Sequence, residues 1–224
     1  MKIPQGGTLK LIDDSISARS ESSEKRTYMG ASGLGEECDR RLWYSYHHPK
    51  PLSNPRVQRI MDVGHKLEGL VVDWLKGAGL TVYTETEDGE QFSFSDEEIA
   101  GHIDGVVSGL VESDRPHLLE IKTANDKRFS EFEKNGVKAT ESKYFTQVQV
   151  YMKYFNLDRC FFIVVNKNDC ALYVERIEFD PIEAEWAINR GKEIANAAEA
   201  KRKYKDKNFF KCKFCDYREE CWKE

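Results

Sequence analysis

The sequence predicts an α/β domain, a mixed central sheet flanked by helices. Three observations carry that expectation. Apolar residues recur at helical spacing from Arg59 to Lys76. Short runs of branched and aromatic residues, bounded by turn signals, recur between Leu80 and Ile177. The order helix, strands, helix, strands, helix suits one sheet with helices packed on its faces.

Each element has its own justification. Residues 1–30 are polar, with a Ser/Glu/Lys stretch from Ser15 to Lys25, and read as a poorly ordered arm or a short helix. Ile60, Val63, Leu67, Leu70, Val71 and Trp74 mark the first long helix, which Gly77 and Gly79 stop. Strands are expected at Leu80–Thr84, Gln91–Phe94, Ile99–Val107 and Leu118–Ile121, with Asp88-Gly89 as a hairpin turn. A second helix fits Lys143–Phe155. Cys160–Val165 and Ala171–Ile177 form two more strands joined by Asn166-Lys167-Asn168-Asp169. A third helix starts near Pro181, a residue suited to a first turn, and is expected to run past Ala200. The domain reading is an arm at 1–30 and one domain at 31–224, with its core at about 59–178 and a cap from 31–58 and 181–224.

Composition narrows the function. The 224 residues carry 34 Lys and Arg against 39 Asp and Glu, a formal charge of −5, so a generally basic nucleic-acid coat is excluded. With 40% hydrophobic and 33% charged residues the chain has the composition of a folded domain. No apolar run approaches the roughly 18 residues a membrane span needs, and the N-terminus lacks a signal-peptide layout. Six unevenly placed cysteines do not suit a secreted disulfide scaffold. A cytoplasmic protein, of a bacterial cell or a phage-infected one, is expected.

The most informative stretch is Gly101-His102-Ile103-Asp104-Gly105 followed by Leu118-Leu119-Glu120-Ile121-Lys122-Thr123. Residues two apart in a strand face the same way, so Glu120 and Lys122 share a face while Ile121 points into the core. Pairing of the two strands brings Asp104 to the same spot. Two converging carboxylates make an oxygen site for Mg²⁺ or Mn²⁺, and a lysine beside them can orient an attacking water. Alone, acid-x-Lys also fits an ordinary solvated face. Two features add to it. His65 and Glu68, three apart on the first helix, share a face with Met61 and Val72 that is expected to be covered, and His65 can supply a nitrogen ligand. Gln147 and Tyr151, four apart on the second helix, can hydrogen-bond a phosphate or a base.

His65, Asp104, Glu120-Ile121-Lys122 and Gln147-x-x-x-Tyr151, in that order, resemble the motif set of the RecB-type branch of PD-(D/E)XK nucleases, over roughly 59–177. Ile103 stands where that pattern often has proline. The resemblance implies a restriction-endonuclease-like core. It also implies a divalent ion held by His65, Asp104, Glu120 and the Ile121 carbonyl, a nucleophile activated by Lys122, and a Gln147/Tyr151 helix that supports the site and the DNA.

Cys212-x2-Cys215-x5-Cys221 offers three thiolates, too few for a tetrahedral metal or a cubane cluster. Cys160 and Cys170 lie in or beside apolar strands, so the fourth ligand is assigned to Cys38, which precedes Asp39-Arg40-Arg41-Leu42-Trp43-Tyr44. The spacing leaves zinc and iron–sulfur both open. The layout resembles the iron–sulfur subset of RecB-like nucleases, which includes the CRISPR-associated exonucleases and AddAB-type nuclease domains. It implies a [4Fe-4S] cluster stapling a helical cap that joins the two ends of the chain.

Seven Lys or Arg residues fall between Lys201 and Lys213 against one acid, Asp206, with Phe209, Phe210 and Phe214 among them. Arg40, Arg41, Lys50, Arg56 and Arg59 form a second basic group near Cys38. If the ends meet, Arg40, Arg41, Lys201, Arg202 and Lys203 line a basic wall suited to single-stranded DNA. With no P-loop in the sequence, any helicase or recombination protein would be a separate partner. The expectation is a Mg²⁺- or Mn²⁺-dependent DNA exonuclease acting on single strands or ends in recombination, replication or repair. The alternative is an inactive DNA-binding adaptor stapled by the same cluster.

Overall fold

The computed structural model describes residues 6–22, 26–50 and 54–223. The parts of the expected arm at 1–5 and 23–25, and of the cap at 51–53 and 224, lie outside the described residues. No helix among these is long and apolar enough to cross a membrane.

The chain folds into a mixed α/β architecture with two sheets flanked by helices. The five-stranded sheet has the order β2 (Thr81–Tyr83), β5 (Gly105–Ser108), β6 (His117–Ala124), β7 (Arg159–Asn166), β8 (Leu172–Glu178). Within this sheet, among the described residues, β6 and β7 are the parallel pair, and their crossover is supplied by α4 (Asp126–Thr140) and α5 (Ser142–Phe155). A smaller sheet has the order β1 (Met29–Gly30), β4 (Ile99–His102), β3 (Ser93–Asp96).

Alternation along β6 sets the layers. Leu119 and Ile121 point to one face and pack with Val71, Val72 and Leu75 of α3 (Pro55–Gly77). Leu118 points to the other, into the core built with Val148 and Met152 of α5 and Ala187 and Ile188 of α6 (Pro181–Asn196). Helix starts follow local chemistry. Asn54 caps α3 by accepting from the Arg56 and Val57 N–H groups with Pro55 at the first helical position, and Asp180-Pro181 does the same for α6.

Several expectations change. The single strand at Ile99–Val107 is two, because the chain leaves one sheet at His102 and enters the other at Gly105. Of the two readings of the arm the helix holds: α1 (Thr8–Ser22) docks on α3 through Arg19–Asp62 at 2.5 Å and Arg59–Asp13. Helix α4 has no counterpart in the sequence reading. It is mostly polar, buries Phe129, Phe132 and Val137, and kinks at Gly136 (φ +74°). Helix α6 ends at Asn196, since Ala197 is extended. On α3, Ile60, Val63, Leu70 and Trp74 are 40–49% exposed while Val71 is fully buried, so only part of the stripe that marks the helix faces the sheet. The face of His65 and Glu68 is covered only toward Val72, while Met61 stays 43% exposed.

The cap follows α2 (Asp39–His47) and the short helices α7 (Phe210–Lys213) and α8 (Arg218–Cys221). Protein contacts join its two halves. The Arg40 N–H donates to the Lys201 carbonyl at 3.1 Å. Lys50 donates to the Asp216 carbonyl and to Glu220, each at 2.8 Å, and Tyr44 stacks on Tyr217 with ring centroids 5.4 Å apart.

Gly105 sits at the sheet change with φ +155°, and a Cβ there would stand 2.5 Å from the Tyr83 carbonyl oxygen. Gly105→Ala is therefore expected to cost about 1–3 kcal/mol, a fall of roughly 2–12 °C in the thermal midpoint. An unchanged midpoint would show that the neighbouring backbone yields freely.

Candidate active site

The site is built where β5 begins beside β6. Antiparallel pairing of Gly105 with Leu119, continued by one residue, sets Asp104 across from Glu120. Asp104 then reaches over the strand, and its Oδ2 accepts the Ile121 N–H at 2.7 Å. Glu120 is only 1% exposed. Its Oε1 accepts from Gln147 Nε2 at 2.7 Å and from the Lys122 ammonium. Its Oε2 is buried with no hydrogen-bond partner among the described residues.

Electrostatics follow from this burial. Loss of water pushes the Glu120 carboxyl up to about 7; Lys122 opposes the shift, while Asp104 and Glu68 reinforce it. Burial alone would lower the Lys122 ammonium, but the charges of Glu120 and Asp104 outweigh it and hold the lysine protonated. Glu68 is raised by burial and by Asp104. Fully ionised, Asp104, Glu120, Glu68 and Lys122 carry a net charge of −2.

Beside this cluster lies a cavity of about 360 Å³ lined by His65, Glu68, Asp104 and Ile121. His65 is exposed on its wall. Gln147 and Tyr151 stand behind Glu120, 6% and 4% exposed, so they face the buried carboxylate and not solvent. Tyr151 packs on Phe94, and burial, then the charge of Glu120, raises its hydroxyl pKa. The structure thus brings His65, Asp104, Glu120, Ile121, Lys122, Gln147 and Tyr151 to one region. Sequence reasoning noted Glu68 as a helix neighbour but gave it no role. Its spacing of three from His65 was the signal. It also missed Tyr144, whose ring centroid lies 5.2 Å from the Lys122 nitrogen.

Among the described residues no three His, Cys, Asp or Glu side chains close on a point ready to hold an ion. Donor chemistry tests the fit instead. A partnerless buried carboxylate oxygen in a cluster of charge −2 suits a hard divalent cation.

Cys38, Cys212, Cys215 and Cys221 line one cavity of about 510 Å³. Burial, then the neighbouring Cys38 and Cys221, raises the Cys212 thiol, and burial raises Cys215. Among the described residues the four thiols share this space without closing on a point as a ligand set. Cys160 is fully buried in the core, as expected of a structural thiol, whereas Cys170 is exposed in the β7–β8 turn.

The basic wall is largely neutralised. Arg40 pairs with Glu199, and Arg41 with Glu36 at 2.9 Å and Asp216 at 3.7 Å. Lys203 meets Glu37 at 3.2 Å, and the Arg202 guanidinium lies 4.5 Å from the Trp222 ring centroid. Lys201 is exposed.

Comparison with known proteins bears on the fold and the family. The crystal structure of SSO0001 is 17% identical, covers 95% of each chain and has a TM-score of 0.54. Two crystal structures of the alkaline exonuclease LHK-Exo from Laribacter hongkongensis, one in complex with dAMP, are each 18% identical. They cover 81% of this chain and 90% of theirs, with TM-scores of 0.52 and 0.53. At these identities the likeness is one of fold. No curated protein matches the chain. The YqaJ-like viral recombinase domain matches residues 26–156, which contain every residue of the carboxylate site and Cys38 but stop before Cys212. With more than half of its length matched, the chain belongs to the YqaJ-like viral recombinase family.

Proposed function

We propose that the protein is a divalent-metal-dependent DNA exonuclease that hydrolyses phosphodiesters of single strands or DNA ends during recombination. The observation that carries this reading is Glu120, buried with one oxygen unpartnered, beside Asp104 and ion-paired with Lys122. Membership of a viral recombinase family and the fold shared with an alkaline exonuclease support DNA as the substrate.

Asp104, Glu120, the Ile121 carbonyl and His65 would hold Mg²⁺ or Mn²⁺, with Glu68 close enough to add charge. When bound, the ion supplies positive charge to the scissile phosphate and the leaving oxygen. The other steps belong to the chain. Lys122, an ammonium paired with Glu120, would donate a hydrogen bond that orients the attacking water and offsets charge developing on phosphorus. Gln147 fixes the rotamer of Glu120 by holding Oε1, and Oε2, which has no partner among the described residues, would be available to hold the ion. Tyr151 packs behind this pair and keeps water from it.

We assign a [4Fe-4S] cluster to Cys38, Cys212, Cys215 and Cys221, with zinc as the alternative. Support comes from the C-x2-C-x5-C run, its resemblance to the iron–sulfur RecB-like nucleases, and the cavity that all four cysteines line. The domain is then one nuclease unit whose cap is stapled between residues 38 and 212–221, beyond the protein contacts that already join it.

Lys122→Ala and Asp104→Ala are each expected to lower Mg²⁺- or Mn²⁺-dependent release of nucleotides from labelled DNA by about 100-fold or more, with circular dichroism unchanged. Undiminished release by either folded variant would overturn the site. DNA binding with no cleavage by the wild type would favour the adaptor reading. Anaerobic purification should give about four irons per chain and a visible absorption band, both lost in Cys38→Ser or Cys215→Ser. Stoichiometric zinc without the band would assign zinc, and neither metal would remove the cluster.

A further inference from the structure

Part of the C-terminal cap is left over once its ion pairs are counted. Lys203 and Lys211 both converge on Glu37, at 3.2 and 2.9 Å. Lys205, Lys207 and Lys213 are exposed and form no ion pair among the described residues. Rings run between these cations. Tyr204 stacks on Phe209 at 4.5 Å between centroids, and Phe209 leans on Phe210 at 4.8 Å. Phe210 opens α7 and Phe214 follows one turn later, its N–H donating to the Phe210 carbonyl at 3.3 Å. They are 59% and 83% exposed.

Two large rings left in water, flanked by unpaired lysines on a chain of net charge −5, form a local and specific surface. The pairing of π faces with cations matches a flexible polyanion whose bases can stack, and it does not match an apolar protein groove. A membrane surface is disfavoured, because α7 has four residues and no amphipathic length to lie in an interface. We propose that Phe210 and Phe214, with Lys207 and Lys213, form a platform for single-stranded nucleic acid outside the carboxylate cleft. It deepens the nuclease reading and rests on DNA being the substrate. The rings border the cavity that the cap shares with Lys143 of α5, the helix that also carries Gln147 of the carboxylate site.

Fluorescence anisotropy of labelled oligo(dT) with the full chain, without added divalent metal, tests this. Phe210→Ala/Phe214→Ala should weaken binding about tenfold or more, whereas Phe214→Trp should preserve it. Lys207→Ala/Lys213→Ala should reduce the slope of log affinity against log salt by about 1.4. Wild-type affinity in the double phenylalanine variant would overturn the platform. So would equal loss in Phe214→Trp and Phe214→Ala, or binding to anionic lipid vesicles but not to oligo(dT). Metal-dependent cleavage with no effect of the rings would remove the platform alone. Ring-dependent binding with no cleavage by the wild type would remove the nuclease reading alone.

Discussion

Glu120 is a carboxylate in the centre of the main sheet, and its burial is the constraint on which the surrounding structure depends. Moving an ionised carboxylate out of water is costly, and even a paired one seldom repays the loss with net stability. The fold supplies a lysine two residues on and a glutamine from the crossover helix, both to the same oxygen. It then adds Asp104 and Glu68, which worsen the electrostatics. A sheet selected only for stability would place an apolar residue at this position. The arrangement becomes reasonable when a divalent cation completes it, since the charge of −2 is then cancelled and the free oxygen has a partner.

The change of sheet at His102–Gly105 gives this cluster its shape. A continuous strand would keep Asp104 in the pleat, its side chain fixed perpendicular to the sheet. Because the chain leaves β4 and restarts at Gly105, Asp104 is free to turn onto the edge of β6 and accept the Ile121 N–H. Gly105 permits the turn, as any side chain there would meet the Tyr83 carbonyl. The parallel β6–β7 pair requires a crossover, and that crossover delivers Gln147 and Tyr151 behind Glu120. Topology thus supplies the site from both sides of one strand.

Much of this was legible in the sequence because it is local. The i, i+2 relation of Glu120 and Lys122, the i, i+4 relation of Gln147 and Tyr151 and the turn signals around β7 and β8 are set by backbone period. What was not legible depends on residues distant in sequence. Arg40–Glu199 and Lys203–Glu37 join positions about 160 apart and convert an apparent basic wall into a set of ion pairs. The apolar stripe of α3 identified a helix correctly but only Val71 of its buried side, because the sheet packs on its C-terminal half through Val71, Val72 and Leu75. Helix α4 was hidden by its polar composition and the kink at Gly136, though Asn125, whose side chain accepts the Arg128 N–H, was a readable start signal.

Titration of the metal-free protein with Mn²⁺ by calorimetry, at about pH 6.5 in two buffers of different ionisation heat, asks whether Glu120 ionises to hold a cation. One site on the carboxylate cluster is expected, and its occupation should release protons because Glu120, raised to about 7, must ionise to bind. Glu120→Gln should abolish both the binding and the proton release. Equal binding by wild type and Glu120→Gln, or no binding at all, would contradict a buried carboxylate cluster built to hold a divalent ion.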